Sequence, residues 1–346
     1  MDAPRPRRRA RGGSMTDREQ GDATAIALSP ILSARYRPRD LERIAAAAPG
    51  SRIITVSREG LADGPLDDVE VLLHGFMGRE ALERLVAHAP RLRWIHSASA
   101  GVERVISVGR ARPGLVITNA RGVFSRPIAE YVVMMVLGVS RRLPELLELQ
   151  RERTWQPLEG REMRDVTVGV VGLGSIGRAV GELAAGVGCR VLATRRNPGA
   201  EEAPPGVEVV GGPGSLPVLL AASDFVVLAL PLTAETDGII GPNELAAMRP
   251  GSWLVNIARG RLVDENALLR AVREGRIGGA VLDAFREEPL PATSPLYDEP
   301  NVIVTPHTSW SSGRVLDRTL DLFCENLRRF GRGEPLANRV DADAGY

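Results

Sequence analysis

Three side chains of this sequence have the types and the setting to do chemistry together: Arg259, Glu288 and His307. Each follows a short apolar run of the kind that forms a buried strand. Leu254-Val255-Asn256-Ile257 leads into Ala258-Arg259-Gly260, Val281-Leu282-Asp283 leads toward Glu288, and Val302-Ile303-Val304 leads into Thr305-Pro306-His307. In open α/β sheets, ligands bind outside the carboxyl ends of the strands. A guanidinium grips a carboxylate through a two-pronged fork. An imidazole passes a proton near neutral pH. A carboxylate beside that imidazole holds one tautomer and favours its charged form. Together these are the parts needed to reduce a 2-oxo acid: hydride addition builds negative charge on the carbonyl oxygen, and a cation with a proton donor stabilises it. Glu287 is the neighbour that could compete for the role of Glu288, and the Glu288-Pro289-Leu290 context favours the latter.

The elements that must hold such residues are legible around them. From residue 23 to about 119, strand-like runs at 25–28, 52–56, 69–73, 92–96 and 115–118 alternate with helical stretches at 40–48 and 79–89. A second alternation places strands at 166–171, 190–193, 207–210, 225–230, 253–257, 280–283 and 302–305, with helices at 176–187, 216–222, 243–248 and 265–274 between them. Asp264 is the expected N-cap of the last of these helices and Gly275 its stop. Alternation of this kind predicts parallel sheets covered by helices on both faces. The segment 126–151 reads as a long helical arm, apolar then charged and interrupted by Pro144, crossing between domains or subunits. The stretch 312–330 reads as a closing helix that returns to the first domain. The expected organisation is a disordered tail at 1–22, a substrate-binding domain from 23–120 plus 307–346, and a dinucleotide-binding domain at 121–306.

Composition excludes several functions. The chain has 346 residues with a net charge of +1 and 44% hydrophobic residues, so it is globular and carries no general attraction to nucleic acid or membrane. Four Trp, four Tyr and six Phe are too few for a base-stacking platform. Every basic residue is Arg, which rules out a lysine Schiff base and a P-loop. No His, Cys and Asp cluster has metal-ligand spacing, and Cys189 and Cys324 stand alone. No apolar stretch is long enough to span a bilayer, and the Arg-rich start is no secretory signal. A cytoplasmic setting is expected.

A second constellation binds a nucleotide. Val168-Gly169-Val170-Val171 runs into Gly172-Leu173-Gly174-Ser175-Ile176-Gly177, a strand entering G-x-G-x-x-G and then a helix. Gly172 permits the tight turn, Gly174 admits a pyrophosphate against the backbone, and Gly177 lets helix and strand pack closely. An NAD site places Asp or Glu about 20 residues beyond the first glycine. Here Thr194, Arg195 and Arg196 occupy that stretch, with no carboxylate before Glu201. Two guanidiniums and a hydroxyl suit a 2′-phosphate, so NADP(H) is the expected cofactor, with NAD(H) as the alternative if one Arg stacks on adenine and the other is solvated.

These residues carry a resemblance. Ser99-Ala100-Gly101-Val102-Glu103, Ala129-Glu130-Tyr131, the glycine motif, Pro231-Leu232-Thr233 with Thr236, Asn256-Ile257-Ala258-Arg259-Gly260, Leu282-Asp283-Ala284-Phe285 with Glu288-Pro289-Leu290, and Thr305-Pro306-His307 together resemble the D-isomer-specific 2-hydroxyacid dehydrogenases. The resemblance covers nearly the whole chain after residue 22. It implies two doubly wound parallel-sheet lobes, a flavodoxin-like substrate lobe and a Rossmann nucleotide-binding lobe, with the active site in the cleft. It implies that Arg259 holds the substrate's carboxylate and carbonyl, that His307 protonates the carbonyl oxygen, and that Glu288 pairs with the other ring nitrogen. The amides of Ala100 and Gly101 would hold the carboxylate from the opposite lobe. Asp283 would meet the nicotinamide carboxamide, and Leu230, Pro231, Thr233, Thr236, Ile257 and Ala258 would line the cofactor's path. Phe76 and Met77, in a loop after a first-lobe strand, would contact the group on C3, and Trp310 would cap the pocket or pack beside it. His74 and His96, at ends of first-lobe strands, are expected to be structural.

Among its relatives the chain is most similar to glyoxylate/hydroxypyruvate reductases, so a small 2-oxo acid is the expected substrate and a larger one the alternative. Formate dehydrogenases of the same fold pair the catalytic His with Gln, which Glu288 speaks against. A phosphoglycerate-type enzyme would need a regulatory domain for which the chain leaves no room. A cofactor-sensing binding protein on the same scaffold is the remaining alternative class. The 126–151 arm suggests a homodimer.

Overall fold

In the computed structural model, residues 24–31, 36–197, 199 and 202–341 are described; the expected N-terminal tail lies outside them. The chain divides after Ala120 and again after Val315 into two compact units.

The first unit is built on β1 (Ala25–Leu28), β2 (Arg52–Thr55), β3 (Val69–His74), β4 (Trp94–Ser97) and β5 (Val116–Asn119), with helices α1 (Pro38–Ala47), α2 (Arg79–Ala87) and α3 (Ile106–Ala111). The strands are all parallel, in the order β2-β1-β3-β4-β5. This is the flavodoxin-like order, which reverses direction between β1 and β3. The sequence reading missed α3. It is only six residues long, contains Gly109 and has no side-chain N-cap, so it carries almost no local signal.

The second unit opens with α4 (Ser125–Ser140) and α5 (Leu143–Arg151). The expected arm is therefore two helices. They part at Arg142, whose φ of 57° is left-handed. Pro144 sits in the first turn of α5, where its missing N–H is no loss, so it begins a helix rather than interrupting one. There follow β6 (Thr167–Val171), α6 (Ser175–Gly186), β7 (Arg190–Thr194), β8 (Val207–Gly211), α7 (Leu216–Ala222), β9 (Phe225–Leu228), α8 (Pro242–Ala247), β10 (Trp253–Asn256), α9 (Glu265–Arg273), β11 (Gly279–Leu282) and β12 (Val302–Val304). The sheet is parallel throughout, in the order β12-β11-β10-β9-β6-β7-β8. Counted from β6 this is the Rossmann order with one added strand, and the switch point falls between β6 and β9.

Both fold classes expected from the sequence are present. The strands read as continuous apolar runs because both faces of the sheet are covered. On one face Val168, Val170, Val191 and Val227 pack against Val132 and Val136 of α4 and Val180 of α6. On the other, Val171, Leu228, Leu254 and Leu282 pack against Leu219 of α7, Leu245 of α8 and Leu268 of α9. Asp264 caps α9 as expected, accepting from the Ala267 amide at 3.0 Å, and Gly275 ends it with φ 64°. The last helix, α10 (Val315–Gly331), returns to the first unit. Its Leu320, Phe323, Leu327 and Phe330 pack with Ile26, Val71 and Trp94, the return expected of the closing helix.

Candidate active site

The glycine turn has the geometry each of its residues was expected to need. Gly172 ends β6 with φ 98°, and its amide donates to the Thr194 carbonyl at 3.0 Å, tying the turn to β7. A Cβ at Gly177 would lie 2.0 Å from the Gly172 carbonyl oxygen, so only glycine allows α6 to sit this close to β6. Gly174 is the N-cap of α6, it has no side-chain cap, and a Cβ there would meet nothing within 4 Å. Open space over a backbone at a helix N-terminus fits a pyrophosphate, because the first-turn amides there lack intrahelical partners. Ser175 and Ile176 form that first turn, while Leu173 turns inward to the core. Thr194 is buried at the end of β7, with Arg195 half-buried and Arg196 exposed beyond it. After β9, Leu230 is partly packed on the core. The next loop is pinned by Thr236, whose Oγ1 donates to the Pro231 carbonyl at 2.7 Å and accepts from the Thr233 amide at 2.8 Å.

The chemistry-bearing residues come from three neighbouring strands. β10, β11 and β12 lie side by side and parallel, so their carboxyl ends open on one edge. After β10, the Asn256 side chain builds the Arg259 loop: its Nδ2 donates to the Arg259 carbonyl at 2.9 Å, and its Oδ1 accepts from the Ala258 amide at 3.1 Å. Ile257 and Ala258 are buried beneath it. Gly260 then presses against the loop after β11, where a Cβ would stand 1.9 Å from the Phe285 carbonyl carbon. That contact sets the Arg259 loop beside the one carrying Glu288. Glu288 is held in turn, one oxygen accepting from the Phe285 amide at 3.0 Å and the other lying 2.9 Å from His307 Nδ1. It is Glu288, not Glu287, that reaches the imidazole. An ionised carboxylate only accepts, so Nδ1 carries the proton of this pair.

Two placements differ from expectation, and a third residue has an added role. Asp283 is wholly buried, and both its oxygens are engaged. Oδ1 accepts from Thr305 Oγ1 at 2.6 Å and the Thr308 amide at 2.8 Å, and Oδ2 accepts from the Ser309 amide at 2.9 Å. It serves the loop that bears His307, and these three bonds leave one acceptor position of the carboxylate over. These bonds also keep that loop in the second unit, so the junction falls after Val315 instead of before His307. Met77 is 1% exposed and packs in the first unit's core with Leu72 and Leu82, so it is no pocket wall. Its neighbour Phe76 is 42% exposed, under the Arg58 guanidinium at 5.7 Å.

Ala100 and Gly101 follow β4, and the Ala100 carbonyl accepts from Asn119 Nδ2 at 2.9 Å. Trp310 donates its ring N–H to the His307 carbonyl at 2.7 Å, a role in holding the loop that neither expectation named. His74 and His96 are buried, as expected of structural residues. Burial pulls them down to about 4 and about 3, so both stay neutral. Among the described residues no group of three or more His, Cys, Asp or Glu could hold a metal, and no helix is long and apolar enough to cross a membrane. Sequence reasoning missed Asn256 and Thr305 as positioning residues. A buried Asn just after a strand is a local turn signal that could have revealed the first.

Comparison with known proteins places these observations. Residues 133–309 match the NAD binding domain of the D-isomer specific 2-hydroxyacid dehydrogenases. A glyoxylate reductase of Korarchaeum cryptofilum is 36% identical over 264 residues, 74% of this chain and 78% of the relative. The crystal structure of a D-isomer specific 2-hydroxyacid dehydrogenase from Xanthobacter autotrophicus Py2, in complex with NADPH and MES, is 32% identical with a TM-score of 0.83, covering 94% of this chain and all of the other. An NADPH-dependent glyoxylate/hydroxypyruvate reductase from Sinorhizobium meliloti, in complex with NADP and sulfate, is 27% identical with a TM-score of 0.79, covering 93% of this chain and 100% of the other.

Proposed function

The chain belongs to the D-isomer specific 2-hydroxyacid dehydrogenases and is an oxidoreductase; from that premise we propose that it reduces a glyoxylate- or hydroxypyruvate-like 2-oxo acid to the D-2-hydroxy acid, with NADPH preferred over NADH. The observation that carries the reading is the 2.9 Å pair of His307 and Glu288 on strand-end loops adjoining that of Arg259.

In this reading Arg259 grips the substrate carboxylate and polarises its carbonyl. A nicotinamide cofactor, when bound, would supply the hydride for C2. His307 gives its Nε2 proton to the carbonyl oxygen, and Glu288 stabilises the imidazolium before transfer and fixes the ring. Arg195 and Arg196 take the 2′-phosphate. The absence of an acid between Gly186 and Glu201 supports that preference, as do the two relatives whose structures hold NADPH or NADP. Phe76 meets the group on C3. The first unit is then the substrate-binding domain and the second the dinucleotide-binding domain. A cytoplasmic location goes with the reading. So does a homodimer formed through α4 and α5: α5 buries none of its residues, and Met134, Leu143, Leu146, Leu147 and Trp155 are exposed.

Steady-state kinetics with NADPH and NADH, across glyoxylate, hydroxypyruvate, pyruvate and branched or aromatic 2-oxo acids, tests the proposal. The small acids should win with NADPH. Preference for a bulky acid by a large factor overturns the substrate, preference for NADH overturns the cofactor, and no turnover with any acid turns the reading toward a cofactor sensor.

A further inference from the structure

We infer that the Tyr131 hydroxyl is a positioning group for His307, acting from helix α4 through Thr305 and Asp283. The inference rests on reading His307 as the proton donor and adds to it the device that keeps the imidazole in place.

The hydrogen bonds have a direction. Thr305 has a single hydroxyl proton, and the Asp283 carboxylate 2.6 Å away is the stronger acceptor for it. Tyr131 Oη, 2.7 Å from the same hydroxyl, must then be the donor to Thr305. The phenol can keep that role across the working range. Burial pushes it up to about 12, the Thr305 bond opposing and the Asp283 charge adding to the rise.

The relay ends on the backbone around His307. Asp283 takes Thr305 on one side of the histidine and the Thr308 and Ser309 amides on the other. Between them His307 has a φ of 49°, the left-handed region that a non-glycine residue adopts only when its surroundings impose it. Trp310 adds a hold on the His307 carbonyl at 2.7 Å. Asp283 and Trp310 are close in sequence or in the sheet to the loop they hold. Tyr131 is different: it is 174 residues from Thr305 and stands on a helix whose Ile128, Ala129, Val132 and Val136 are locked in the core. It ties a strained loop to a rigid post. A displacement of about 1 Å at a reacting group can cost on the order of 10²-fold in rate, so such a tie matters to turnover without touching the substrate.

Tyr131→Phe removes one oxygen and leaves the ring's packing. Thr305→Val breaks both bonds, and Thr305→Ser restores the hydroxyl. In the full chain, Tyr131→Phe should lower kcat for reduction about tenfold with KM for NADPH unchanged. Thr305→Val should lower it at least as far, Thr305→Ser should recover most of the loss, and the double variant Tyr131→Phe/Thr305→Val should be no worse than Thr305→Val alone, because one relay can be broken only once. A readout independent of turnover is the ¹⁵N spectrum of the imidazoles, tractable with four histidines in the chain. His307 should show its proton on Nδ1 in the wild type and a mixture of tautomers in Tyr131→Phe and Thr305→Val. A Tyr131→Phe enzyme with wild-type kcat and an unchanged His307 ring spectrum would overturn the relay, and so would losses that multiply in the double variant. Should the wild type reduce no 2-oxo acid, the proton-donor reading fails, and the ring spectra still decide whether Tyr131 positions His307.

Discussion

At the scale of single residues, the division of labour between His307 and Glu288 makes distinct predictions. His307 is the one imidazole on these loops, and in the proposed reading its acid catalysis contributes roughly 10²–10⁴-fold. His307→Asn should lose about that factor in kcat while still binding NADPH, since the glycine turn is untouched; rapid-mixing kinetics and cofactor fluorescence separate the two. A near-normal kcat would remove His307 from the mechanism. Glu288→Gln keeps an acceptor for the Phe285 amide, but its amide nitrogen then stands where an oxygen accepted from His307 Nδ1, so the ring loses both the charge and its acceptor. The substitution should cost at least about tenfold, the rate equivalent of about 1.4 kcal/mol, and a kcat equal to wild type would mean that the carboxylate does not hold the imidazole for the reaction. That Arg259, Glu288 and His307 lie beyond neighbouring strand ends was legible because the apolar runs told where each strand ended. Met77 was misread, and the loop-holding bonds of Asp283 were missed, for one reason: residue type and spacing say that a side chain lies near a strand end, not which way it turns. Asp283 turns inward because the amides of Thr308 and Ser309 need an acceptor, and those partners arrive from β12. Tyr131 and Thr305 could not be paired from sequence at all, because no local pattern links positions on an early helix and a late strand.

At the scale of elements, the turn between β6 and α6 shows how different three glycines of one motif are. A Cβ at Gly177 strikes backbone, which cannot move aside. Gly177→Ala should therefore lower stability by about 1–3 kcal/mol, as overpacking does, and weaken NADPH binding as α6 is pushed off the sheet. A Cβ at Gly174 meets open space, so Gly174→Ala should change stability by no more than about 1 kcal/mol and still weaken NADPH, because the methyl group would stand where the pyrophosphate approaches. Thermal melts with and without NADPH distinguish the cases: Gly177→Ala lowers both curves, and Gly174→Ala removes the shift that NADPH causes. Equal melting behaviour in the two variants would refute this reading of the motif. The alternation of strand and helix was plain in the sequence because each strand of a covered parallel sheet is a separate apolar run. Helix α3 was not, being short and glycine-containing. The parting of α4 and α5 at Arg142 was obscured by Pro144, which draws attention two residues late.

At the scale of the molecule, the two units differ in how they should respond to acid. His74 and His96 both lie in the first unit and both are held neutral by burial, at about 4 and about 3 against an ordinary value of 6.5. Unfolding exposes them to protons that the folded unit refuses. Their stabilising effect is therefore complete above pH 6.5, begins to fall as pH drops below that value, and is exhausted once pH passes the folded values. By pH 5 the loss is about 2 kcal/mol for each histidine. The buried carboxylate of Asp40, also in the first unit, is lowered by its hydrogen bond to Arg37 and loses its effect only as pH falls below its ordinary 3.8, well outside that window. No buried histidine belongs to the second unit, where His307 stands partly exposed beside Glu288. Hydrogen exchange corrected for intrinsic rates should then show β3 and β4 losing protection between pH 7 and pH 5 while β6 and β9 keep theirs, because units with separate cores open separately. The ring of His96 lies 5.6 Å from that of Phe323 and 6.1 Å from that of Trp94, so His96→Phe can keep the packing and abolish the titration. It should remove about half of the acid sensitivity of the first unit. If protection falls equally in both units, or if His96→Phe leaves the pH dependence unchanged, the buried imidazoles are not the source of it.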